Sequence, residues 1–107
     1  MNKVTLRVKV AQYSEIEPRI GQTIQVMDRK IALFKVTNGK VYAIDNRSPH
    51  PKGGVLSEGL VSGEYVFCPV YDWKISLVDG KVQAPDEGQV KTYKVEIEGD
   101  DIFVVLE

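Results

Sequence analysis

One cysteine, one histidine and one tryptophan are all that 107 residues contain of these three types, and the first two scarcities exclude specific chemistry. The single Cys68 forbids an internal disulfide, which fits a reducing compartment. With one thiol and one imidazole per chain, a metal centre needing two of each cannot be completed within one polypeptide. Charge of one sign is lacking too: 14 Lys+Arg stand against 15 Asp+Glu, a formal charge of -1. No broad positive field exists to gather phosphate backbones or anionic lipid, so neither nucleic acid nor membrane is an expected partner. No apolar run approaches the roughly 18 to 20 residues that cross a bilayer. The first ten residues alternate from Val4 onward and lack the unbroken apolar stretch of a secretory signal. The expected location is the cytoplasm.

What is present reads as one globular domain spanning residues 1–107. Its 43% hydrophobic and 27% charged residues supply one core and argue against disorder. Apolar residues recur at every second position, the period of half-buried strands. Leu6, Val8 and Val10 share one face while Arg7 and Lys9 take the other. Residues 13–20, with Pro18, read as a turn or one short helix. Residues 23–27 alternate again and lead through Asp28-Arg29, a tight turn, to a more fully buried strand over 31–36. Asn38-Gly39 marks a hairpin of type I′ expectation returning along 41–45. Asp79-Gly80 marks a second hairpin, and Gly99-Asp100-Asp101 a third. No stretch carries a 3.6-residue stripe over ten residues. The fold class is all-β, antiparallel, closed as a barrel or a sandwich.

Two segments resist that pattern: a loop over 46–59, with Pro49, Pro51, Gly53, Gly54 and Gly59, and a second over 68–73, entered through Pro69. Long loops in compact domains are usually functional or disordered. These two hold the chain's His, Cys and Trp.

The first loop reads Ser48-Pro49-His50 and then Gly53-Gly54-Val55-Leu56-Ser57-Glu58-Gly59; the second reads Cys68-Pro69-Val70-Tyr71-Asp72-Trp73. The pair resembles the two cluster-binding loops of Rieske domains, Cys-x-His and Cys-x-x-His, where two thiolates hold one iron and two imidazoles the other. Together with Tyr65-Val66-Phe67-Cys68-Pro69, Asp72-Trp73-Lys74-Ile75 and the run from Val82 to Gly88, the text is similar to the small subunit of cytoplasmic NAD(P)H-dependent nitrite reductases from about Ile20 to Leu106. That resemblance implies a Rieske-like β-barrel or sandwich with two long loops at one end. It implies a partner, the nitrite reductase large subunit, which carries the flavin, siroheme and iron–sulfur centre and reduces nitrite to ammonia in nitrate assimilation. The family's ligand positions fall on Ser48, His50, Cys68 and Tyr71, so half of the set is missing, one ligand from each iron. A serine hydroxyl is a poor substitute for thiolate, and a phenol with a pKa of about 10 loses its proton at a free-energy cost near neutral pH. The expectation is a subunit with no cofactor of its own and no catalytic residue. Pro51 adds one residue between His50 and the glycine pair, a departure from the family's spacing.

Simpler readings compete for the same residues. Zinc would need ligands beyond His50 and Cys68, from Asp72 or a partner. A Cys–His nucleophilic pair would need an orienting third group and an oxyanion pocket, neither legible here. The plainest reading makes Cys68 a small buried apolar residue and gives His50 an ordinary hydrogen bond. Hydroxyls at Ser48 and Tyr71 are expected to bond across the gap a cluster once bridged, each contributing on the order of 1 kcal/mol. Trp73 is expected in the core of the second loop. By analogy with cluster-bearing loop tips, the candidate interface is His50, Val55, Leu56, Tyr71 and Trp73. The competing functions are a Rieske ferredoxin-like electron carrier and a free-standing interaction module without a cluster.

Overall fold

Period-two alternation folds the chain into nine strands among residues 5–106, the span that the computed structural model describes. They are β1 (Leu6–Gln12), β2 (Gln22–Val26), β3 (Arg29–Lys35), β4 (Val41–Asp45), β5 (Leu60–Ser62), β6 (Tyr65–Phe67), β7 (Lys74–Ser76), β8 (Thr92–Glu98) and β9 (Asp101–Leu106). All pair antiparallel. Six form one sheet in the order β1-β9-β8-β4-β3-β2, and three short ones form a second, β5-β6-β7. Residues of β1 and β2, the two edges of the larger sheet, pack against the same apolar cluster, so that sheet curls nearly into a barrel. Barrel and sandwich were both open from the pattern. The molecule is a nearly closed sheet with a small second sheet laid against its outside.

The buried strand β3 shows how one segment serves two cores. Ile31 and Leu33 point into the barrel with Val41, Tyr93, Ile102 and Val104. Ala32 and Phe34 point the other way, onto Val66, Cys68 and Ile75 of the smaller sheet and its loops. Both faces are covered, which is why this strand reads as a continuous apolar run. Burying Phe34 completely contributes on the order of 3 kcal/mol relative to exposure.

Several local expectations change. The β3–β4 connection is not type I′: Gly39 N–H donates to Val36 O at 2.9 Å and Val36 N–H to Lys40 O at 2.9 Å. Gly39 alone has positive φ there, +90°, giving a type I turn followed by a left-handed residue, the three-residue hairpin solution. The β2–β3 turn is Met27-Asp28, with Arg29 already in β3. Leu6 stays exposed, while a bulge between Lys9 and Ala11 lets Val8, Val10 and Ala11 all reach the barrel core. The hairpin β5–β6 goes unrecognised in the sequence because three-residue strands are too short for periodicity to declare. Val4, from which the first alternation was counted, lies outside the described residues. Hairpins over β7 and β8–β9 form where the Asp-Gly and Gly-Asp signals placed them.

Candidate functional site

The first loop is anchored at its base and pinched at its tip. Buried Asn46 holds the base: its side-chain N–H donates to Thr23 Oγ1 at 2.9 Å, and its Oδ1 accepts Ser57 N–H at 2.7 Å. Ser48 N–H donates to Gly54 O at 2.9 Å, and Gly53 N–H to His50 O at 2.8 Å. The extra Pro51 therefore sits at the second position of a tight turn from His50 to Gly53, where its fixed φ is favourable. Gly54, with φ +128°, passes so close to the second loop that a Cβ there would lie 2.8 Å from Cys68 Sγ.

The second loop closes the β6–β7 hairpin through Cys68 N–H donating to Trp73 O at 2.8 Å. Tyr71 and Asp72 are both left-handed, φ 62° and 52°, a conformation costing a non-glycine residue about 1 kcal/mol or more. Cys68 is fully buried; its sulfur accepts Val70 N–H at 3.4 Å, and its thiol points to Gly53 O at 3.8 Å.

Between the loops lie rings. His50 stacks on Tyr71, with centroids 4.6 Å apart and planes 20° from parallel, and meets Trp73 edge-on at 4.6 Å. His50 Nδ1 accepts Lys52 N–H at 2.9 Å. Buried Ser48 turns its Oγ to His50 N–H at 3.2 Å. The expectation of hydroxyls bonded across the gap is corrected: Ser48 bonds within its own loop, Tyr71 is 66% exposed, and what spans the gap is its ring. Leu56 is corrected as well. It is fully buried in the core below the loop and offers no surface, whereas Val55 and Tyr71 are exposed and His50 and Trp73 partly so. Trp73 packs on the core as expected.

A 2Fe–2S centre held through two thiolates and two imidazoles does not fit these residues. The four positions offer one thiol, one imidazole with Nδ1 already engaged, one buried hydroxyl and one largely exposed phenol. Among the described residues no three His, Cys, Asp or Glu side chains converge as metal ligands. His50 Nδ1 is taken by Lys52 N–H, and the Cys68 sulfur by Val70 N–H and Gly53 O, so none of these bonds pairs the imidazole with the thiol.

Two features beside the loops had no sequence signal, because they join residues distant in the chain. A cleft of about 520 Å³ opens between the base of the first loop and its returning limb, lined by Lys30, Asp45, Asn46, Arg47, Gly53, Gly54 and Val55. On the flank, the Tyr42 hydroxyl donates to Glu64, and burial, then that carboxylate, pushes its pKa up to about 12. Tyr93 is likewise raised, by burial and by its 2.5 Å hydrogen bond to Asp45.

The profile of the Rieske-like 2Fe-2S domain family matches residues 7–105. The ferredoxin component of the naphthalene 1,2-dioxygenase system of Pseudomonas aeruginosa is 31% identical over 88 residues, covering 81% of each chain. The NAD(P)H nitrite reductase large subunit of Klebsiella oxytoca is 34% identical over 99 residues, which are 89% of this chain but 10% of that protein. Among solved structures, one described as a candidate NADH-dependent nitrite reductase small subunit from Mycobacterium tuberculosis superposes with a TM-score of 0.88 at 23% identity, covering 98% of both chains. That likeness establishes the shared fold. No helix among the described residues is long and apolar enough to cross a membrane.

Proposed function

This chain belongs to the Rieske-like 2Fe-2S domain family, and from that membership we propose that it is the non-catalytic small subunit of a cytoplasmic NAD(P)H-dependent nitrite reductase. In this reading the large subunit binds flavin, siroheme and an iron–sulfur centre and reduces nitrite to ammonia. The small subunit holds no cluster and contributes a docking surface. The observation that carries the proposal is the 34% identity between nearly the whole of this chain and a segment of a nitrite reductase large subunit. There the matching segment is part of the large-subunit polypeptide itself. A separate copy of the same domain would reach that partner through a surface interaction, without the high effective concentration a tether confers.

The donor set supports the cluster-less part. Two weak oxygen donors on two different irons leave a sulfide-bridged pair open to hydrolysis. A second reading, a ferredoxin-like electron carrier, is favoured by the 31% identity to a dioxygenase ferredoxin component, and it requires a cluster. The two separate on one preparation. Protein purified anaerobically is expected to be colourless, with well under about one iron per chain against the two a cluster needs. It is also expected to co-purify with a polypeptide containing flavin and siroheme. Two irons with a visible charge-transfer spectrum would replace the first reading by the second. Iron-free protein that recovers no such partner under nitrite-assimilating growth would leave a free-standing interaction module.

A further inference from the structure

Four cations collect at one end of the larger sheet. Lys30 near the start of β3 and Arg47 just beyond β4 line the 520 Å³ cleft. Arg29 and Lys91 flank Tyr93 at the same end, their charged groups 5.9 and 5.3 Å from its ring centre. Main-chain bonds hold the three segments together: Asn46 N–H donates to Lys30 O at 3.1 Å, and Asp45 N–H to Lys91 O at 2.9 Å. Two acids also stand at this end: Asp45, which lines the cleft with Lys30 and Arg47 and accepts the Tyr93 hydroxyl, and Asp28 in the turn before Arg29. The ion pairs found among the described residues engage none of the four cations; they lie on β1, β8 and β9. A chain of net charge -1 thus gathers four cations against two carboxylates at this end, with Lys30 and Arg47 on the cleft itself, beside Val55, which is 44% exposed.

We propose that this end docks an acidic segment of the nitrite reductase large subunit, a carboxylate meeting Lys30 and Arg47 while an apolar neighbour covers Val55. The inference rests on the functional reading above. Charge complementarity selects an acidic occupant, because opposite fields steer encounter and like charges repel. A polypeptide rather than a small anion is selected by the exposed valine and by the relative in which this domain is one tenth of a longer chain.

The test measures association of the purified domain with the isolated large subunit by biolayer interferometry. The wild type is expected to associate about tenfold more slowly on going from about 50 to about 300 mM NaCl. Lys30→Glu combined with Arg47→Glu is expected to slow association about tenfold at low salt and to flatten the salt dependence, with dissociation little changed. Lys40→Glu, in the β3–β4 turn at the far end, is expected to behave as wild type. All three positions are exposed, and unchanged far-UV circular dichroism verifies folding. Failure of the wild type to bind overturns the small-subunit reading and this proposal with it. Wild-type binding that the double variant matches, salt dependence included, overturns the docking surface alone. Saturable binding of sodium phosphate by the isolated domain, lost in the double variant while association with the large subunit is unaffected, would assign the cleft to a small anion and overturn it likewise.

Discussion

The imidazole of His50 lies face to face with the phenol ring of Tyr71, 4.6 Å between centroids, and this stack joins two loops that also meet at His50–Trp73 and where Gly53 and Gly54 approach Cys68. A stacked ring pair contributes about 0.5–1.5 kcal/mol, while the left-handed backbone of Tyr71 costs about 1–2 kcal/mol. The two nearly cancel. Tyr71→Gly, which removes ring and strain together, is expected to leave global stability within about 0.5 kcal/mol of wild type while the amides of residues 50 and 52–54 exchange several-fold faster. Tyr71→Ala loses the ring and keeps the strain, and is expected to cost about 1 kcal/mol in urea unfolding. Tyr71→Phe keeps the stack, so wild-type exchange is expected. Faster exchange in Tyr71→Phe would show that the hydroxyl matters after all.

Gly54 and Gly53 are neighbours with opposite tolerance. Both have positive φ, but a Cβ at Gly54 meets Cys68 Sγ at 2.8 Å, and one at Gly53 meets nothing within 4 Å. Gly53→Ala is expected to cost about 1 kcal/mol from conformation alone. Gly54→Ala adds a clash in a packed core and is expected to cost about 2–4 kcal/mol. Equal melting temperatures for the two variants would contradict the close approach of the loops.

Tyr42 ties stability to alkaline pH. Its folded pKa, about 12, lies above the unfolded value of about 10, so the neutral phenol is favoured in the folded state. That contribution is fully present below about pH 10 and is lost as pH rises through the folded pKa. Denaturation midpoints measured from pH 8 upward are expected to fall more steeply in wild type than in Tyr42→Phe above about pH 10. Absorbance titration is expected to show Tyr42 and Tyr93 ionising above the ordinary phenol range, and their ionisation near pH 10 would refute the buried hydrogen bonds.

Cys68 has no solvent-accessible surface. An aromatic disulfide reagent is therefore expected to leave the native thiol unmodified over minutes and to titrate one equivalent in denaturant. Rapid modification of native protein would mean that the second loop opens far more readily than its packing implies.

Much of the fold was written in the chain locally. Alternation in 6–10 and 23–27 dictates strands because side chains repeat every two residues there, and Asp79-Gly80 dictates a turn because few other residues adopt its backbone. The two irregular loops were legible too, since His, Cys and Trp fall only within them. Short strands such as Leu60–Ser62 were not, since three residues carry no period.

The donor inventory was settled before folding: one thiol and one imidazole per chain is arithmetic that no arrangement of the backbone alters. Which surfaces those loops present was decided only by tertiary structure. Leu56 sank into the core while its neighbour Val55 faced solvent, Tyr71 met His50 through a ring rather than a hydroxyl, and Lys30 and Arg47 came to line one cleft. Contacts of that kind depend on strand register and on which of two cores each side chain enters, quantities set by packing among distant segments and carried by no single stretch of residues.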